Sequence, residues 1–346
     1  MMQPNKAVGA RPRPFARLHH ALAWTAWALG AAIVQAHPIV AGFERFHAGE
    51  NASAASAAGG LLLLNELNCV ACHAPPPAWR EALPGRGRIL LVGVGDRLSP
   101  ESIANFIRDP HALKPGTVMP QITARHPAAD RALVAYLLSL TSKAPQPSSA
   151  YPAGNAGRGK RLFESVGCIA CHGTSDLTPT YPSVPLELAP HYERTALAAF
   201  LQDPLQLRPA GRMPGTELTN AEAADLAEFL GAKARASAAS TPVTAPADIA
   251  AGRAEFAARQ CMSCHDTGET HPGRSATPLA RLRIDQGCLM AQPAAGTPRF
   301  NLNPPQTQAL AAAVRRVQTE QSPATPTATE RVSTRFEQLN CYACHE

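Results

Sequence analysis

The sequence predicts several small, mainly helical domains arranged in tandem, and three observations support this. A five-residue motif, Cys-x-x-Cys-His, occurs four times, at intervals of 99, 93 and 80 residues, each the size of a small domain. Segments with helical periodicity precede and follow the motif in its clearest copies. Three stretches rich in Ala, Ser, Thr and Pro separate the copies, as is typical of linkers.

The first 36 residues have the organisation of a secretory signal peptide. They carry four basic residues and no Asp or Glu, and an apolar run from Ala21 to Ala36 follows the basic residues. The run ends in Val34-Gln35-Ala36, a small-x-small pattern typical of cleavage sites. Its 16 residues fall short of the roughly 20 that span a bilayer, although a retained membrane anchor is the alternative. We therefore predict a signal peptide at 1–36, cleavage after Ala36, and export to the periplasm or an equivalent compartment.

Most of the positive charge lies in this predicted signal peptide. The whole chain has 32 Lys and Arg against 26 Asp and Glu, a net charge of +6. Without residues 1–36 the balance is 28 basic against 26 acidic residues, a net charge of +2. Because so small an excess gives no support to binding a polyanion, we predict no nucleic-acid partner.

The four motifs contain eight of the nine cysteines. Cys-x-x-Cys-His is the attachment signature of c-type haem, in which two thiols form thioethers with the haem and the His ligates the iron. Structural zinc would need two further ligands per site, which do not recur, and a redox dithiol belongs in a βαβ context that the sequence lacks. We predict up to four covalently bound haem c groups, numbered in chain order. The predicted attachment residues are Cys69, Cys72, Cys168, Cys171, Cys261, Cys264, Cys341 and Cys344, and the predicted iron ligands are His73, His172, His265 and His345.

Repeats 1 and 2 match over most of their length. After the motif, both have a predicted helix that ends at an Asp-Pro pair, and in repeat 1 Ser99 is the expected N-cap of that helix. Ten residues after each Asp comes a Met followed by Pro, and an amphipathic closing helix is predicted near 128–140 and 220–231. The matched positions are Asp109 and Met119 in repeat 1, and Asp203 and Met213 in repeat 2.

The order helix, Cys-x-x-Cys-His, Pro-rich loop ending in Met-Pro and closing helix resembles class I cytochrome c. The resemblance covers most of residues 60–346: nearly all of repeats 1 and 2, part of repeat 3 and the start of repeat 4. It implies an all-α fold in which the first and last helices of each domain cross and haem fills the core, consistent with an aromatic content of only 5%. It also implies distal iron ligands, and so pairs His73 with Met119 and His172 with Met213.

The predicted organisation has six segments. Repeat 4 stops one residue after its haem His, so we expect either a fragment of a longer protein or a unit completed by another chain. The segments are the signal peptide 1–36, a poorly ordered leader 37–60, cytochrome c domain 1 at 61–141, domain 2 at 154–232, a divergent domain 3 at 249–318 and the start of domain 4 at 331–346.

Repeat 3 departs from the pattern at the distal ligand. Thr297 aligns with Met213, and Thr is a poor ligand of haem iron. Nearby candidates are Met290 and Cys288, and another His or an open position are the alternatives. Cys288 is alternatively an inert buried thiol or a disulfide partner. The remaining His residues have no repeated partner position, and most are expected to be solvated.

These features predict an exported multihaem c-type cytochrome that carries single electrons between a redox protein donor and a redox protein acceptor. No catalytic residue is needed for this function. The alternatives are a haem peroxidase or small-ligand-binding protein acting at haem 3, and the cytochrome module of a larger exported oxidoreductase. A membrane-associated redox complex is a candidate partner, and the sequence leaves the oligomeric state open.

Overall fold

The computed structural model describes residues 37–48, 56–122, 127–142, 151–173, 186, 192–231, 245–273 and 276–345. The predicted signal peptide lies outside these residues, as does most of the first two linkers. The described residues form helices joined by loops, with one pair of two-residue strands, so the prediction of an all-α fold is confirmed. No helix among them is both long enough and apolar enough to cross a membrane.

The helices and strands are numbered in chain order. The strands β1 (Ile89–Leu90) and β2 (His265–Asp266) pair in parallel, with Ile89 opposite His265. The helices are α1 (Ala41–Phe46), α2 (Ala57–Glu66), α3 (Val94–Arg97), α4 (Pro100–Arg108), α5 (Pro110–Leu113), α6 (Pro127–Ser139), α7 (Ala156–Ser165), α8 (Arg194–Gln202), α9 (Pro204–Leu207), α10 (Asn220–Gly231), α11 (Pro246–Ala258), α12 (Pro304–Thr319) and α13 (Ala328–Leu339).

Several helix ends follow directly from the local sequence. The Ser99 hydroxyl accepts a hydrogen bond from the amide of Ser102 (3.2 Å), and Pro100 is the first residue of α4, as predicted. The Asp109 and Asp203 carboxylates cap α5 and α9 in the same way. The closing helices α6 and α10 agree with the predicted ranges to within a residue.

Repeat 2 has the helix crossing that the resemblance implies. Helix α7, which precedes the motif, packs against the closing helix α10, and α8 packs against α10 as well. The closest approach is at Gly159, where a Cβ atom would clash with the backbone carbonyl of Asp225. Phe163, one turn later, is fully buried between the helices with Leu226.

In repeats 1 and 3 the helices have exchanged partners. Helix α2 of repeat 1 packs against α12 of repeat 3, and α11 of repeat 3 packs against α6 of repeat 1. Each crossing again has a glycine in the opening helix: Gly60 lies against the carbonyl of Ala309, and Gly252 against that of Ala132. The expectation that the first and last helices cross within each repeat is therefore wrong for repeats 1 and 3. Because both closing helices place an alanine at the crossing, either can accept a glycine-bearing helix.

The exchange produces two intertwined units, each with its own core. The first exchanged unit consists of residues 57–83, which include α2 and motif 1, together with 277–302 and α12. Its core joins Leu63 and Trp79 of repeat 1 to Leu279, Leu310 and Val314 of repeat 3. The second exchanged unit consists of α11 and motif 3 together with residues 89–122 and α6. Its buried residues are Val94, Ile103, Ile107, Leu133, Tyr136, Leu137, Leu140, Phe256 and Met262.

The leader is ordered where the structure describes it, which corrects the prediction for 37–60. Helix α1 buries Phe43 completely in the core of the first exchanged unit. The Gln306 side-chain amide donates a hydrogen bond to the carbonyl of Pro38 (2.7 Å). Helix α1 also packs against α13, with Gly42 lying on the backbone of Glu337. Aromatic and apolar residues, dispersed in the sequence of the leader, therefore anchor it to the other repeats.

A buried carboxylate fixes the start of repeat 2. Asp225 on α10 accepts hydrogen bonds from the Arg158 guanidinium (2.6 and 2.8 Å) and from the amide of Asn155 (2.6 Å). The hydrogen bonds from Arg158 hold the pKa of the Asp225 carboxyl below its ordinary value. A carboxyl with a lowered pKa stabilises the fold above its unfolded-state pKa, and this contribution is lost as the pH falls through the lowered pKa.

We therefore expect Asp225→Asn to destabilise repeat 2 by about 1–2 kcal/mol at pH 7, because the amide loses charge-assisted hydrogen bonds. Denaturant unfolding of both proteins at pH 7 and at about pH 3 measures the effect. The difference should shrink at the lower pH, where the wild-type carboxyl is also becoming protonated. A difference that is equal at both pH values would contradict an ionic role.

Candidate functional site

The four motifs share one local backbone geometry. The residue before the first Cys adopts the left-handed conformation in each, with φ of 57° at Asn68, 87° at Gly167, 61° at Gln260 and 56° at Asn340. A short 3-10 turn follows and covers the two Cys positions of each motif. In motifs 1, 2 and 4 the amide of the His donates a hydrogen bond of 2.9–3.0 Å to the carbonyl of the first Cys. Three of these four residues are not glycine, although the left-handed conformation favours glycine. The turn of the motif therefore requires this backbone conformation whichever residue stands there.

The motif histidines are prepared for metal binding in the two exchanged units. The Nδ1 atom of His73 donates to the backbone carbonyl of Thr277 (2.7 Å), which leaves Nε2 available to bind a metal. His265 is partly buried, and desolvation lowers its pKa to about 4, which favours the neutral ring that metal binding requires. Its Nδ1 is buried and has no hydrogen-bond partner.

The thiols of the motifs fit thioether formation better than disulfide chemistry. None of the nine cysteines forms a disulfide in the structure. Burial raises the pKa of Cys69 and of Cys261 to about 12 and that of Cys264 to about 11. A redox-active dithiol depends on a lowered pKa, so these environments do not favour the redox-dithiol alternative.

The motifs lie in two pairs, which sequence reasoning missed. The Asn68 side-chain amide contacts the Cys264 sulfur at 3.7 Å and so joins motif 1 to motif 3. The Asn340 side-chain amide contacts the Cys171 sulfur at 3.8 Å and joins motif 4 to motif 2. In both cases the left-handed Asn before one motif contacts the second Cys of the other. The sequence carried one signal for this, the Leu-Asn-Cys that motifs 1 and 4 share.

The two predicted Met ligands lie in different settings. Met213 is half-buried and packs against the core that contains Phe163, the same core against which Cys168 of its own motif packs. Met119 is half-buried in the loop between α5 and α6. The helices that flank this loop pack in the second exchanged unit, whereas His73, the predicted partner of Met119, lies in the first. Val118, within the loop, packs against the core of the first unit.

The alternative donors of repeat 3 lie in the first exchanged unit. Burial raises the pKa of Cys69 and of Cys288, and nearby thiols add to both shifts: Cys288 raises the pKa of Cys69, and Cys72 raises that of Cys288. Met290 is 45% exposed. Thr297, at the position aligned with Met213, lies two residues before Arg299, whose backbone exchanges two hydrogen bonds of 2.9 Å with Gln121.

Two histidines that were expected to be solvated are buried. His111 is 4% exposed, and neither of its ring nitrogens has a hydrogen-bond partner. His271 is enclosed with Tyr136 and Phe256, and its Nε2 lies 2.9 Å from the Thr267 hydroxyl. Within the described part of the chain, no group of three or more His, Cys, Asp or Glu side chains could hold a metal ion.

Motif 4 is the most exposed of the four. Cys344 and His345 are exposed, and α13 presents Val332, Phe336 and Leu339 to the surface. Val332 stands nine residues before the first Cys, where the other three repeats have the crossing glycine.

Comparison with known proteins identifies one segment. Residues 156–232 match the family model for cytochrome c. The match covers less than a quarter of the chain and contains motif 2, Met213 and the crossing of α7 with α10. It supports a haem-binding electron-transfer protein with covalently bound haem c. No curated protein and no solved structure matched the chain.

Proposed function

We propose, on the basis of the cytochrome c domain at residues 156–232, that the whole chain is an exported multihaem c-type cytochrome carrying single electrons. The observation that carries this proposal is the common turn of the four motifs: repeats 1, 3 and 4 reproduce the local geometry of the motif in the matched domain. Four copies of one attachment geometry support up to four haem c groups.

Each bound haem supplies an iron centre that gains and loses one electron. The chain's own residues hold and adjust that centre. The motif Cys residues would bind the porphyrin edge, and His73, His172, His265 and His345 would ligate iron from one side. The hydrogen bond from His73 to the Thr277 carbonyl would fix the orientation of the ring. Desolvation of His265 favours the neutral ring that would bind iron.

The pairing of the motifs supports a relay within one molecule. The sulfur contacts of Asn68 and Asn340 bring motif 1 beside motif 3 and motif 2 beside motif 4. Arg212 of repeat 2 binds Glu66 of repeat 1 (2.6 Å), which connects the two pairs. An electron that enters from a redox protein donor would thus pass between neighbouring motifs of a pair before it leaves to an acceptor. Export by the predicted signal peptide at 1–36 agrees with this, since thioether attachment takes place outside the cytoplasm.

Counting the haems tests the proposal. We expect the full-length protein, produced in a host that attaches haem c, to carry four haems by intact mass and by pyridine haemochrome absorbance. The paired variant Cys168→Ser/Cys171→Ser should carry three. A further variant, Cys288→Ser, is the matched control and should keep all four. Fewer than two haems in the wild-type protein would contradict a multihaem function.

A further inference from the structure

Repeat 2 provides a rule for assigning a distal ligand to its haem. Met213 lies in the loop between α9 and the closing helix α10. Helices α8 and α10 pack in the unit whose opening helix, α7, leads into Cys168. The rule has two steps. The closing helix that follows the Met crosses one opening helix, and the motif at the end of that opening helix is the one that the Met is assigned to. Chain order and this rule coincide in repeat 2, because the opening and closing helices belong to the same repeat.

In the exchanged units, chain order and helix packing assign the Met to different motifs. Met119 lies in the loop between α5 and the closing helix α6, as Met213 lies in the loop between α9 and α10. Helices α4 and α6 pack against each other, and α6 crosses α11, which leads into Cys261. The rule therefore connects Met119 with motif 3, whereas sequence order connects it with motif 1.

Hydrogen bonds hold the Met119 loop to the second exchanged unit. The Gln121 side chain donates to the carbonyl of Arg108 at the end of α4 (2.8 Å). The Asp109 carboxylate caps the short helix α5 that opens the loop. These two contacts join the ends of the loop to helices of the second exchanged unit. The middle of the loop borders the first unit as well, because Val118 packs against that unit's core and the carbonyl of Gly116 accepts a hydrogen bond from the amide of Ile39 (2.9 Å). The packing of α4 and α6 around α11 is therefore what assigns the loop.

The contacts around the motif histidines of repeats 1 and 3 are exchanged between these two repeats as well. The carbonyl that orients His73 belongs to Thr277 of repeat 3. In return, strand β1 of repeat 1 pairs with β2, and the amide of Ile89 donates to the carbonyl of Cys264 (2.8 Å). Repeat 3 therefore supplies both the carbonyl that binds His73 and the closing helix beside motif 1. Repeat 1 in turn supplies the strand beside His265 and the closing helix beside motif 3.

From this geometry we propose that Met119 is the distal ligand of the haem attached at motif 3, opposite His265. The haem attached at motif 1, opposite His73, then takes its distal side from residues 277–302, where Thr297 occupies the aligned position. The haem that lacks a Met at the aligned position is then haem 1, not haem 3. This inference rests on the proposed function, because it requires haem at both motifs.

Single-thioether variants can mark one haem at a time in the full-length protein. Cys264→Ser leaves one vinyl group of haem 3 conjugated with the porphyrin, which moves the visible absorption of that haem to longer wavelength. Cys72→Ser marks haem 1 in the same way. Met119→Leu is then introduced into each marked protein, and potentiometric titration and carbon monoxide binding are followed at the marked band. Met213→Leu in the same two backgrounds is the control, and it should alter neither marked band.

We expect Met119→Leu to lower the potential of the marked haem, and to open it to carbon monoxide, in the Cys264→Ser protein only. A response of the marked haem in the Cys72→Ser protein would overturn the assignment, as would no response in either protein. Absence of any marked band in both proteins would mean that motifs 1 and 3 hold no haem. That result would remove the multihaem function itself, and so differs from a failure of the assignment alone.

Discussion

Gly159→Ala is expected to destabilise repeat 2 by about 2–4 kcal/mol, although alanine is the better helix former. The added methyl group would overlap the backbone carbonyl of Asp225 and contact the Cβ of Phe229, so α7 and α10 must separate. Separation would also expose Phe163, which is 1% accessible in the fold. Denaturant unfolding of the full-length haem-loaded protein, followed by circular dichroism, measures the loss.

The same helix provides the control. At Gly157 an added Cβ would lie 3.3 Å from the Asn155 side-chain oxygen and meet no backbone of α10. We therefore expect Gly157→Ala to leave the stability unchanged or to raise it by up to about 1 kcal/mol through helix propensity. Equal effects of the two substitutions would contradict a close helix crossing at Gly159.

Met213→Leu is expected to lower the reduction potential of one haem by on the order of 0.1 V or more, a fraction of the roughly 0.8 V that axial ligands span. Leucine keeps the apolar volume against the core of repeat 2 but removes the sulfur that would ligate iron. Spectroelectrochemical titration should show one component moving to lower potential. The absorption typical of Met-ligated ferric haem should decrease in the same protein.

Met262→Leu separates ligation from packing. Met262 lies within motif 3, is 6% exposed and packs in the core of the second exchanged unit. Because its sulfur has only a packing role there, this substitution should leave every haem potential close to that of the wild-type protein. If Met213→Leu also left all potentials unchanged, Met213 would be a core residue and not a ligand.

Local features of the fold could be predicted because their causes are local. The N-cap at Ser99, the Asp-Pro helix starts and the two closing helices depend on residues within a few positions of each other. The motif turns belong to the same class. One signal was present but missed: Gly60, Gly159 and Gly252 each stand nine residues before the first Cys, and all three mark helix crossings.

The leader illustrates the opposite case. Residues 37–48 have no motif and little helical periodicity, and were expected to be poorly ordered. Phe43 and Val40 are nevertheless buried against residues more than 250 positions away in α12 and against α2, and Arg45 donates to the Tyr342 carbonyl (2.6 Å). A short segment whose order depends on distant partners gives no periodic signal of its own.

By itself the sequence determined the Cys-x-x-Cys-His motifs, the repeat length, the helices and the all-α class. Only the tertiary structure decided which closing helix meets which opening helix, and our proposal for the haem that Met119 ligates follows from that packing. The physical reason is that an apolar face with a glycine at its centre specifies the shape of a partner but not its place in the chain. Since α6 and α12 both present small residues at the crossing, the pairing is settled by the packing of the whole chain.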